Sequence, residues 1–398
     1  MFDFDYGRFC DRLAGLGRRR RERVFGRTDG SQIDTEKGPL VNFSSNDYLG
    51  LSHHPEVIRR AQQFTGEWGA GAGASRLVCG TLEIHRTVEE KLARGKGSEA
   101  ALVLASGYQA NVSVLAALLN PKVLGTEPLV LCDRLNHASI HDGCRIAGVR
   151  ETRYRHNDLD HLEELLAAKR QPGQPCFILS ETVFSMDGDR ADVGKLIDIT
   201  KRFDAFLYLD EAHATGVLGR GGFGLSADFP GQVDLAMGTF SKALGSFGAY
   251  VACSATLRDF LVNRCGGYIY STALPPPVLG AIDAALDLLP GLKSTRQELQ
   301  ASAANLRRAW TSLDCGASST QIVPVIVGAE DAALDLARKL EDEGILGVAI
   351  RSPTVPPGTA RLRFSLTAAH EPADIARLVE ALPRLIAAAP SQRREASR

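Results

Sequence analysis

The sequence contains no CxxC pair, no apolar run long enough to span a bilayer, and almost no net charge. Each absence argues against a class of protein. Eight cysteines scattered without paired spacing read as reduced thiols rather than as a disulfide framework or a zinc site. Without a long apolar run, a membrane-spanning helix is not expected. A formal net charge of -1 over 398 residues argues against a nucleic-acid or membrane-surface partner held by bulk charge. The opening MFDFDYGRFCDRL lacks the basic-then-apolar order of a signal peptide, so a cytoplasmic location is expected. No internal repeat or low-complexity segment stands out.

What is present is ordinary for a globular chain: 44% hydrophobic and 23% charged residues. The length exceeds what one core comfortably holds, which predicts a large domain with a smaller companion. The one strong charge cluster is GRRRRERVF, with Arg18 to Arg21 and then Arg23. It reads as a solvated helix face, or as a contact for a polyanionic group such as a nucleotide or phosphopantetheine arm, whose oxygens match guanidinium forks.

The runs ALVLAS, PLVLCD, CFILSE, AFLYLD and DLAMGTF are nearly continuous in apolar residues, as strands buried on both faces are. Helical patterns such as YQANVSVLAALL and LDHLEELLAAKR alternate with them. Strand–helix repetition predicts an α/β fold with a mostly parallel sheet covered by helices. From about residue 285 the pattern changes to a long helical stretch, TQIVPVIVG, another helix, GVAIRSP and TARLRFSL. A last helix is predicted with Ile375, Leu378, Val379, Leu382 and Ile386 on one face and Pro372 near its start. The expected division is an N-terminal arm over 1–50, a large α/β domain over 51–285, a small α+β domain over 286–390, and a tail over 391–398.

Ligands of open parallel sheets sit beyond the carboxyl ends of the strands, and the chemically capable residues fall there. AFLYLD ends in Asp210, with His213 three residues on; ALVLAS runs into Ser106, Gly107 and Tyr108, where a helix begins. A helix N-terminus with a glycine turn offers free N–H groups to a phosphate. His137, Glu181 and Ser185 follow other strands, and Lys242 follows DLAMGTF, flanked by Thr239 and Ser241. Singly, each has a duller reading as a cap or a satisfied structural residue. MDGD falls short of a calcium loop and reads as a turn. GAGAGASRLVCG follows a helical pattern rather than a strand, so it is not a dinucleotide loop. Taken together, a phosphate seat, an acid, a stacking-capable histidine and an unpaired lysine meet the needs of pyridoxal phosphate (PLP). The lysine forms the Schiff base, and a small, neutral, buried setting lowers its pKa.

NFSSNDYLGLS, DEAHATGVLG, GTFSKALGSFGAY, YIYSTALPP and PTVPPGTARLRFSLTAAH resemble the α-oxoamine synthases, acyltransferases of the aspartate-aminotransferase fold type (PLP-dependent transferase fold type I). The likeness runs in order from about residue 40 to 385, and makes the large domain the PLP-binding one. FSMDGD and AIRSPTVPPGTARLR are similar to the branch that condenses L-alanine with a pimeloyl thioester. The resemblance implies that Lys242 carries the cofactor and acts as acid/base, that Asp210 pairs with the pyridine nitrogen, and that His213 and Ser185 hydrogen-bond its phenolic oxygen. It implies that His137 stacks on the ring, and that Gly107, Tyr108 and Thr239 hold the phosphate. Thr272 would reach the phosphate of the other subunit, since family active sites lie at a homodimer interface. Asn46 and Arg363 would hold the amino-acid carboxylate, Thr354 would line the acyl side, and one arginine of Arg18 to Arg21, taken as Arg20, would contact substrate. Ser352 stands where relatives often have proline, which would loosen that turn slightly.

The implied reaction takes L-alanine and pimeloyl-CoA or pimeloyl-acyl carrier protein, and the resemblance leaves the carrier open. A sister synthase using glycine or serine with another acyl-CoA is the nearest alternative. Transamination on the same fold and a non-catalytic partner subunit are further ones; such subunits lose the lysine, which this chain keeps.

Overall fold

A computed structural model describes residues 2–388; the expected tail lies outside them. An N-terminal helix, Phe2–Gly15, precedes three short strands, β1 (Thr28–Asp29), β2 (Gln32–Thr35) and β3 (Gly38–Asn42). A central series follows: β4 (Ala100–Leu104), β5 (Leu129–Asp133), β6 (Thr152–Tyr154), β7 (Cys176–Glu181), β8 (Phe206–Asp210), β9 (Leu235–Thr239) and β10 (Ala249–Cys253). The chain closes with β11 (Ile322–Gly328), β12 (Ile345–Leu346), β13 (Val348–Ile350), β14 (Ala360–Ser365) and a helix over Pro372–Ala388.

The central series forms one seven-stranded sheet in the order β4-β10-β9-β8-β7-β5-β6. Only β10 runs antiparallel to its neighbours, so the expected mostly parallel sheet is present. The continuous apolar runs follow from burial on both faces. On β8, Tyr208 packs with Leu179, Cys132 and Val114 on one side. Leu207 and Leu209 pack with Ile178, Leu196 and Ile197 on the other. Strands β5, β7, β8 and β9 point the same way, so the residues just past their carboxyl ends collect along one edge.

Two smaller sheets complete the fold, β11-β14-β13 and β1-β2-β3-β12. In the second, β3 pairs in parallel with β12, Val41 opposite Ile345 and Asn42 opposite Leu346. Strand β14 lies between β11 and β13 and sets Arg363 opposite Pro324 and Val348. The last helix begins at Pro372 and buries Leu378 and Leu382, with Ile375, Val379 and Ile386 packed beside them.

The arginine run departs from its helical reading. The first helix stops at Gly15, Gly17 takes a φ of 66°, and residues 18–27 are non-helical. The run is instead clamped by charge. Arg18 meets Glu330 at 3.0 Å and Arg23 pairs with Glu341, both on the helix Glu330–Asp342. The left-handed Gly17 turns the chain out of the helix before the run, and the two ion pairs then hold it along another element.

Candidate active site

Lys242 lies three residues past β9, in a turn that closes with Gly245. Gly245 has a φ of 61°, and a Cβ there would sit 2.2 Å from the backbone nitrogen of Ser52. Only glycine lets the lysine turn press against the Asn46–Ser52 segment. No carboxylate lies within ion-pair distance of the Lys242 amine among the described residues. Burial lowers its pKa, Asp210 and Glu181 oppose that shift, and Arg363 adds to it. The neutral amine, the form able to take a proton, is therefore easier to reach than in a surface lysine.

Asp210, the last residue of β8, is buried and held rigidly. One carboxylate oxygen accepts the Ala212 N–H at 2.9 Å and the other accepts the Asn111 amide at 2.8 Å. The same Asn111 amide donates to Ser139 Oγ at 2.8 Å, while its carbonyl accepts the Tyr208 hydroxyl at 2.7 Å. His137 caps the helix Ala138–Ala147 and its Nδ1 lies 2.7 Å from Ser139 Oγ, which joins it to the same network. The His137 N–H donates to Glu181 at 2.5 Å. Burial, reinforced by Asp210, pushes the Glu181 carboxyl well above the usual range, and Lys242 offsets part of this.

His213 is buried, with Nδ1 2.7 Å from the Tyr48 hydroxyl and its carbonyl accepting the Gln321 amide at 3.0 Å. Burial, then the cations of Lys242 and Arg363, push its pKa well down, so the ring is neutral. Arg363 is 7% exposed and no carboxylate pairs with it among the described residues. Its guanidinium donates to the Ser185 carbonyl at 2.6 Å, to Asn46 Oδ1 twice at 3.2 Å, and to Ser365 Oγ at 2.8 Å. A buried cation with only neutral acceptors is poised for an anion from outside.

Gly107 and Tyr108 open the helix Gly107–Leu118, capped by Ser106. Their N–H groups have no carbonyl within the helix to bond, and a Cβ on Gly107 would approach the Thr239 Cβ at 3.9 Å. The Thr239 hydroxyl donates to the Gly248 carbonyl and accepts the Ser241 N–H. The Tyr108 side chain points elsewhere, to Asp142.

Of the residues expected at the site, Asn46, His137, Ser185, His213, Lys242 and Arg363 line one cleft of about 280 Å³. Met186, Ser44, Val348 and Ile350 share its wall. Asp210, Gly107, Tyr108 and Thr239 do not line it. Arg20 and Thr354 also lie outside, exposed and 3.4 Å apart. Thr272 pairs with Ser75 in an isolated bridge, also outside the cleft. Sequence reasoning assigned no role to Tyr48, Asn111, Val348 or Ile350. Asn111 left one trace, a polar residue amid the apolar positions of a helical pattern.

PLP fits these residues. An amine without a carboxylate partner among the described residues follows β9, a fixed carboxylate ends the neighbouring β8, and a helix start with open N–H groups lies beside Thr239.

Fold and site together define the class: the chain belongs to the aminotransferase class I and II family, which it matches over residues 38–382. It is 58% identical over 381 residues to an 8-amino-7-oxononanoate synthase of Gluconacetobacter diazotrophicus, spanning 94% of this chain and 96% of that protein. A serine palmitoyltransferase from S. paucimobilis, solved with PLP and myriocin bound, superposes with a TM-score of 0.88 at 26% identity over 96% of each chain. An 8-amino-7-oxononanoate synthase from Francisella tularensis gives a TM-score of 0.75 at 25% identity, covering 87% of this chain and 98% of that one. These relatives bear out the resemblance to the α-oxoamine synthases.

Proposed function

We propose that the chain is an 8-amino-7-oxononanoate synthase, a PLP-dependent acyltransferase that condenses L-alanine with a pimeloyl thioester and releases carbon dioxide and the thiol carrier. The observation that carries this reading is Arg363, a buried guanidinium without an acid among the described residues, facing the same cleft as the Lys242 amine. Such a pair suits an α-amino acid, whose carboxylate goes to the arginine and whose α-carbon comes within the lysine's reach.

PLP, when bound, supplies an electron sink for the bonds broken at the α-carbon. Lys242 is the residue that would join it, and Asp210 the one that would face its ring nitrogen. His137 would lie on the ring, with His213 and Ser185 at the phenolic oxygen. The N–H groups of Gly107 and Tyr108 and the Thr239 hydroxyl would hold the phosphate. Arg363 and Asn46 grip the alanine carboxylate and fix which α-bond faces the lysine. Lys242 then takes the α-proton and later returns one. Val348 and Ile350 offer the acyl chain an apolar wall; Thr354 would line the acyl side and Arg20 would contact substrate, whose carrier is coenzyme A or acyl carrier protein.

A homodimer with Thr272 contributed across the interface suits the exposed Leu77, Val78 and Tyr270, which lie close in sequence to the paired Ser75 and Thr272. All eight cysteines are free, which suits the cytoplasm. No helix among the described residues is long and apolar enough to cross a membrane.

The likeness to a serine palmitoyltransferase keeps a sister specificity as the second reading. Product analysis with alanine, glycine or serine against pimeloyl, acetyl or palmitoyl thioesters separates the two. Product from alanine and pimeloyl thioester is expected, and turnover only with serine or glycine would reverse the assignment.

A further inference from the structure

Tyr48 is fully buried, and its hydroxyl stands among polar side chains that include Gln321 and Ser365. His213 Nδ1 lies at 2.7 Å, Asn46 Oδ1 at 3.1 Å and the Arg363 guanidinium at 3.4 Å. A phenol has one proton to give, and the surroundings decide its direction. Asn46 Oδ1 is also within reach of the phenol proton, but at 3.1 Å it is the farther acceptor, and it already takes two N–H bonds from Arg363. Arg363 can only donate, so toward it the phenol oxygen is an acceptor. His213 Nδ1, at 2.7 Å, is the nearest acceptor within hydrogen-bond distance, and distance decides between it and Asn46. The geometry points to Tyr48 as a positioning residue that donates its proton to His213 Nδ1 and thereby fixes the imidazole as the Nε2–H tautomer.

Two features support this assignment. Burial raises the Tyr48 pKa, so the phenol keeps its proton. Burial and neighbouring cations keep His213 neutral, so it holds one ring proton, and the tautomer is a real choice. With Nδ1 occupied, the Nε2–H is the group left to donate within the cleft that His213 lines. On the function proposed above, on which this part rests, its acceptor is the phenolic oxygen of PLP. Tyr48 then joins the carboxylate grip to the cofactor side, because the same hydroxyl touches both Arg363 and His213.

The test is long-range ¹H–¹⁵N NMR of histidine-labelled full-length protein, with and without PLP, the His213 signals assigned through His213→Gln. The expected result is a protonated Nε2 and a bare Nδ1 in both forms. In Tyr48→Phe, the Nε2–H share should fall, and PLP should bind about three- to tenfold more weakly, the size of one lost neutral hydrogen bond. A protonated Nδ1 in the wild-type protein would overturn the inference, as would a tautomer ratio unmoved in Tyr48→Phe. If that variant does not fold, the wild-type tautomer alone decides. Failure of the wild-type protein to bind PLP would sink the functional reading, whereas the tautomer without PLP judges Tyr48 separately.

Discussion

Arg361 and Arg363 leave the same face of β14, two residues apart, and among the described residues Arg361 meets a carboxylate while Arg363 meets none. Its guanidinium lies 2.6 Å from Asp187, while Arg363 bonds to Asn46, Ser185, Ser365 and Tyr48, all neutral. Both are buried. One arginine therefore holds the 185–188 turn in place and the other keeps its charge available.

Arg363→Ala should raise the KM for alanine by roughly 10- to 100-fold, the range of a lost charge-assisted hydrogen bond. PLP affinity should change far less. Arg361→Ala should instead lower stability, by about 1–3 kcal/mol, through the loss of its charge-assisted bond to the half-buried Asp187. Steady-state kinetics, PLP titration and urea unfolding distinguish the two; equal losses of alanine and PLP binding in Arg363→Ala count against a substrate role.

Lys242→Ala should abolish turnover and the visible absorbance that the lysine–PLP linkage gives. A variant that keeps both would remove Lys242 from the mechanism.

Asn111→Ala removes the amide that ties Asp210 to Ser139 and leaves the buried Tyr208 hydroxyl without its acceptor. The expected cost is about 2 kcal/mol of stability, with weaker PLP retention because Asp210 loses a fixed donor. Unchanged unfolding and unchanged PLP affinity would show that the network does not matter.

His156 bridges Asp133 at 3.0 Å and Asp189 at 2.9 Å, and these partners, against the cost of burial, raise its pKa to about 10. A folded pKa above the unfolded value of about 6.5 gives stability that is complete below pH 6.5. That contribution is lost as pH rises from there through about 10. His156→Gln should therefore destabilise strongly at pH 6 and progressively less toward pH 10. Denaturant midpoints at several pH values check it, and a cost independent of pH would mean that the ring matters only by shape.

The sheet and the placements of Asp210, His213 and Lys242 at its edge were legible because each belongs to one contiguous strand and turn. The pleat that buries Leu207 and Leu209 also delivers Asp210 to the strand end, and apolar runs declare both. Arg363 stood out only through the family resemblance, since nothing local distinguishes it from Arg361; the difference is Asp187, far away in sequence. Tyr48 and Asn111 were silent for the same reason. Asn111 acts on Asp210, 99 residues away, and Tyr48 on His213, 165 residues away. The arginine run misled because charge density says nothing about the carboxylates of Glu330 and Glu341 that straighten it.

The pairing of β3 with β12 carries a consequence for synthesis. Segment 43–48 is bonded to chain that leaves the ribosome near the end: Phe43 to Leu346 and Ser365, and Tyr48 to Ala368. The central sheet, with Lys242 and Asp210, is complete in sequence before those later segments appear, whereas the surroundings of Arg363 require them. A translation product cut before residue 345 would thus lack the partners of segment 43–48 and the strand that carries Arg363, while keeping the lysine edge.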